Sequence, residues 1–203
     1  MKTIFSFCLL ATSLSFLADP PHQFEDTTIG LKISKPASWR FTSSEEHLEN
    51  LGKLKKIDEG FKDKLLKYST TPLVAMNKYE ETFDDLNPHL KIFIKPLGEL
   101  KGQDPKEIVR GNLAELEKVF KDYEVVQKPT DIVISNLNGA YARITYTAGS
   151  QDGQSFPACS EFWFVPRGNH YFLISAGTPK DDTTGIRLEI RDILDTLVIE
   201  PHP

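Results

Sequence analysis

The chain has 203 residues, 26% of them charged, and a formal net charge of −5. That suits one globular domain with a small appendage and excludes collagen-like or globally disordered classes. A mildly acidic chain also lacks the basic face that nucleic-acid binding or an anionic membrane surface requires.

The N-terminus reads as a signal peptide over residues 1–18. "MKTIFSFCLLATSLSFLADP" carries one positive charge at Lys2, then an apolar run from Ile4 to about Leu17. The run is short and serine-rich for a membrane span. Cleavage is expected near 15–18: after Ser15, with Ser13 two residues upstream, or after Ala18. Cys8 lacks the small residues that should precede a lipid-modified cysteine. Removing the segment takes the charge to −6 and leaves Cys159 as the sole cysteine, so no internal disulfide can form. Residues 19–203 are then one domain held by its core, with no stable membrane span after cleavage.

"TIGLKISKPASW" alternates, with Ile29, Leu31 and Ile33 on one side, and predicts a strand ended by Pro36, with Trp39 folding back over the core. Between Glu45 and Tyr68, Leu48, Leu51, Leu54, Ile57, Phe61 and Leu65 recur every three or four residues. That predicts an amphipathic helix, or two helices broken near Gly52 or Gly60. Strands are expected over Leu73–Tyr79 and Leu90–Pro96. A helix follows, with Asp104 as N-cap, Pro105 in its first turn and a stripe of Val109, Leu113, Leu116 and Phe120. "DIVISNLNGAYARITYTA" predicts a strand, a turn at Asn138-Gly139 and a second strand with Tyr141, Arg143 and Thr145 on one side. "QDGQ" predicts a hairpin turn. Ile186 to Leu197 predicts a last helix running into a short extended piece.

"EFWFVPRGNHYFLISAGTP" decides the architecture. A turn at Pro166–Asn169 would set Val165 opposite His170. One face then carries Phe162, Phe164, Tyr171 and Leu173; the other carries Cys159, Trp163, Val165, Phe172, Ile174 and Ala176. Both faces are apolar, so the hairpin needs cover on both sides. The fold class expected is α+β: an α/β/α sandwich with a mainly antiparallel sheet and helices on both faces.

No phosphate loop, dinucleotide fingerprint or Gly-x-Ser-x-Gly setting occurs. Cys159 and His170 cannot form a thiol–imidazole pair, because the hairpin register separates them by on the order of 20 Å. Asp85 and His89 are the only weak metal candidates, with Asp84 beside them. Pro88 argues against a helix there, and a catalytic zinc needs three protein ligands. Asp181-Asp182 reads as a cap for the last helix. Arg143 and Arg167 read as ion-pair or surface residues rather than an anion site. No catalytic residue, cofactor or metal is assigned.

"GLKISKPASW", "NGAYARITYTA", "FWFVPRGNHYFLISAGTP" and the closing "DILDTLVI" resemble the strand patterns of the PsbP-like and DcrB-like family. That fold is also found in a Ran-binding nuclear-transport factor. The resemblance covers roughly Phe24 to Glu200 and departs from the pattern at Glu45–Tyr68. It implies an exported, non-catalytic accessory or binding domain in a bacterial periplasm or outside the cell, with a protein partner and no nucleic acid. A small-ligand carrier and a metal-dependent hydrolase on the same sandwich are the alternatives. The helical segment at 45–68 is the expected partner contact, or else a packing element on the sheet.

Overall fold

The computed structural model describes residues 22–42, 71–80, 86–149 and 155–201. The expected signal peptide, the helical segment at 45–68, Asp84 and Asp85, and the whole "QDGQ" turn lie outside them. Among the described residues, two sheets and two helices assemble as an antiparallel sandwich. Strands β1 (Gln23–Asp26), β2 (Leu31–Ser34) and β10 (Val198–Ile199) form a small sheet in the order β1-β2-β10. A larger sheet runs β3 (Arg40–Phe41), β4 (Val74–Asn77), β5 (His89–Pro96), β9 (His170–Pro179), β8 (Ser155–Arg167), β7 (Leu137–Gly149) and β6 (Lys121–Ile134). Helix α1 (Pro105–Glu117) packs on one face and α2 (Ile186–Asp195) on the other.

The central hairpin has the two apolar faces its sequence requires. Phe164 pairs with Leu173, and Trp163 with Ile174. The Trp163 face carries Val165, Phe172, Ile174 and Ala176, and meets Ile186, Ile190 and Ile193 of α2 together with Leu31, Ile33 and Ile199 of the small sheet. The Phe164 face carries Ala140, Ala142 and Ile144 against Ile108, Val109 and Leu113 of α1. The turn is tighter than expected: Arg167, not Val165, faces His170, and Gly168 takes φ 60°. A shift of two residues preserves side-chain parity, so both faces keep their predicted members.

Helix α1 starts where its cap requires. The Asp104 carboxylate accepts from the Lys106 N–H at 2.9 Å, and Pro105 occupies the first turn. Helix α2 starts differently. Its N-cap position is Gly185, at φ 73°, with no side-chain cap. Asp182 instead reaches forward to the Arg187 N–H at 3.3 Å and pairs with its guanidinium at 3.5 Å.

The turn expected at Asn138-Gly139 lies at Ser135-Asn136, both at positive φ (50° and 63°). Gly139 is a strand residue, and close packing rather than turning explains it. A Cβ there would sit 2.4 Å from the Phe164 carbonyl oxygen on β8. Strand β6 also begins ten residues before the predicted Asp131. The part before Thr130 contains Pro129 and three register shifts, which an edge strand tolerates.

Candidate functional site

A cleft of about 470 Å³ opens between the β6–β7 hairpin and the C-terminal half of α2. Val133 and Ser135 line one wall, Arg191, Leu194 and Leu197 the other, and Tyr141 and Trp163 the floor. The Ser135 hydroxyl sets the width of its end. It donates to the Leu197 carbonyl at 2.8 Å and accepts from the Ile199 N–H at 2.9 Å. The β6–β7 turn is thereby tied to β10.

The floor is polar underneath. Tyr141 and Trp163 pack with ring centroids 5.2 Å apart, and the Tyr141 hydroxyl donates to Glu161 Oε1. Glu161 is 1% exposed, and its Oε2 has no hydrogen-bond partner. Arg143 lies directly opposite it in the β7–β8 register. Burial first, then the Glu161 hydrogen bond and charge, hold the Tyr141 phenol far above its ordinary pKa. It therefore stays a hydrogen-bond donor at any physiological pH. Glu161 was legible in one respect. It is the only charged residue in an otherwise apolar strand stretch, at even spacing from Cys159 and Trp163.

Most residues singled out in the sequence have a described place. Cys159 is buried opposite Thr145 and Thr178, and burial pushes its thiol up, away from the reactive thiolate. His170 is exposed at the first position of β9, beside the turn and eight positions along the strand from Thr178, on the order of 26 Å away by strand rise. His89 lies opposite Gly177, and its Nδ1 is 3.1 Å from the Asn87 carbonyl oxygen. Its partner in the metal reading, Asp85, is outside the described residues. Arg167 is a staple between sheets. It donates to the Ile29 carbonyl at 2.7 Å and the Glu200 carbonyl at 3.1 Å, with its guanidinium 4.9 Å from the Phe172 ring centroid.

At the other end of α2, Trp39 and Lys78 converge on one oxygen of Glu189. The indole N–H donates at 2.7 Å and the ammonium at 2.5 Å. Burial pushes this carboxyl up, but the two hydrogen bonds and the Lys78 charge outweigh it and hold it below its ordinary value of 4.5. A carboxylate depressed on folding stabilises fully above its unfolded pKa and loses that contribution as pH falls through the folded one. Glu189→Gln should therefore melt below wild type at neutral pH. The gap should close as pH falls from about 4.5. Thermal melts of both proteins across acid pH check this.

No family model matches the chain, and no curated protein matches it. Solved structures do. The cyanobacterial PsbP (CyanoP) of Synechocystis matches at 10% identity and a TM-score of 0.52, over 94% of this chain and 99% of that one. LpqN, described as involved in cell envelope biogenesis of Mycobacterium tuberculosis, matches at 11% identity and 0.50, over 84% and 83%. The Saccharomyces cerevisiae Ran-binding protein Mog1p matches at 10% identity and 0.49, over 88% and 95%. At these identities, the first two matches establish a shared α/β/α sandwich fold.

Proposed function

We propose that this chain is an exported accessory domain of the cell envelope, without catalysis of its own, that holds an extended segment of a protein partner. The observation that carries this reading is the edge strand β6. Among the described residues, its outer edge has no neighbour in the sheet order. The part before Thr130 is guarded by register shifts, Lys128 and Pro129, devices that discourage pairing with another chain. The last five residues, Thr130 to Ile134, pair regularly with β7, and no described strand pairs with their other edge. Val133 there is 65% exposed, at the lip of the cleft. Of the five exposed large apolar side chains among the described residues, Val126 and Val133 lie on β6, Val119 just before it and Val198 on β10.

An extended segment laid along Thr130–Ile134 gains main-chain hydrogen bonds, and alternate side chains find the cleft. The envelope location is supported by the signal-peptide pattern of residues 1–18. LpqN, which shares the fold, is itself described by an envelope role. No helix among the described residues is long and apolar enough to cross a membrane.

Val133→Lys places a charge on the open edge. At so exposed a site it should change stability by no more than about 0.5 kcal/mol. The variant should keep the wild-type melting temperature and lose the partner that co-purifies from the native envelope fraction. Equal recovery with both proteins would remove the edge from the account.

A further inference from the structure

A second groove, of about 410 Å³, lies on the far side of α2 between the end of β2 and the helix. We propose that it binds a small organic carboxylate with an apolar body, with the Lys35 ammonium as the anchor. Lys35 is 5% exposed, yet its Nζ has no hydrogen-bond partner. The ammonium lies 5.3 Å from the Phe41 ring centroid, so a ring face balances the charge while its N–H donors stay unused. A buried cation with idle donors is costly unless something accepts from it. Burial also lowers the Lys35 pKa, the direction that a bound anion would reverse.

The surroundings select the ligand. Glu189, which lines the groove, is already engaged by Lys78 and Trp39, and Asp192 is exposed at the rim. The cation left without an acceptor is Lys35. Ser38 accepts from Lys78 at 3.1 Å and keeps its own proton to donate. Pro36 and Ile193 offer apolar walls. The groove is also fixed in shape. The Thr196 hydroxyl accepts from the Ser34 N–H at 2.9 Å and reaches the Ser34 carbonyl at 3.0 Å, clamping β2 to the end of α2. The Lys35 Nζ is itself covered, so its side chain turns toward the groove to meet the carboxylate while the clamped walls stay in place. The inference is independent of partner binding at β6, which lies across the helix.

Amide-shift titration of the full chain by NMR tests it, with hexanoate, hexanol and inorganic phosphate as probes. Saturable shifts with hexanoate are expected at Ser34, Ser38, Asp192 and Thr196, with hexanol at least about tenfold weaker. Lys35→Met keeps the aliphatic stem and should abolish the hexanoate shifts. No saturable shift, unchanged binding by Lys35→Met, or hexanol binding as well as hexanoate would overturn the proposal. Phosphate matching hexanoate would overturn the requirement for an apolar body. Should Lys35→Met fail to fold, the hexanoate–hexanol comparison on the wild-type chain decides.

Discussion

Trp39→Ala is expected to destabilise the protein by about 3–5 kcal/mol, the range for truncating a buried aromatic residue. Trp39 is 2% exposed and belongs to the core beneath α2. Its indole N–H also holds Glu189 on the helix. The substitution therefore opens a cavity and removes one of two donors from a half-buried carboxylate. Trp39→Phe separates the two effects. It keeps most of the ring volume and should recover much of the loss, leaving about 1 kcal/mol for the missing hydrogen bond plus a smaller cavity cost. Chemical denaturation of the three proteins gives the comparison. A loss under about 1 kcal/mol for Trp39→Ala would mean that Trp39 is not a core residue.

Gly139→Ala is the second large effect. The added methyl would stand 2.4 Å from the Phe164 carbonyl oxygen and 3.1 Å from the Ile132 side chain. Neither is easy to move, because Phe164 belongs to the β7–β8 ladder. The strands must separate locally, at a cost of about 3 kcal/mol or more. Gly111→Ala is the matched control. Gly111 lies in α1, and nothing stands within 4 Å of an added Cβ. There the same change should stabilise by about 0.5–1 kcal/mol through helix propensity alone. Opposite signs at the two glycines are the expected result, read from melting temperature or denaturation midpoint.

The architecture was readable where the side-chain pattern was unambiguous. Residues 162–176 are apolar at both parities, which forces a strand pair covered on both faces whatever the turn length. Asp104-Pro105 and the stripe from Val109 define α1 by local chemistry alone. Features that depend on a distant neighbour were not readable. Asn138-Gly139 has turn composition, but Gly139 is required by Phe164 on another strand. The strand at β2 and the extended piece at β10 were expected, but not β1, nor the pairing of β2 with β10 across about 170 positions in sequence. Asp182 does serve the start of α2, as its position suggested, but from beyond the cap position and through Arg187.

The two grooves were hidden for the same reason. Each is bounded by α2 and by strands far away in sequence, and its polar members occur singly. Glu161 interrupts an apolar strand, and Lys35 follows one. Lys35 looks like a surface charge in its local context, and Glu161 stands out only as a charge within a mainly apolar strand. The structure shows both to be buried, each with a polar atom lacking a hydrogen-bond partner. Burial without a partner is a property of the assembled fold, not of the local sequence.

Site-specific photocrosslinking in the native envelope tests partner binding at β6 most directly. A photoreactive residue is placed in turn at Val126, Val133 and Val198, and at Leu188, which is 63% exposed on α2 away from β6. The account predicts one protein adduct of the same mass, strongest from Val133 and absent from Leu188. Monomer alone from Val133, or equal adducts from Val133 and Leu188, would contradict it.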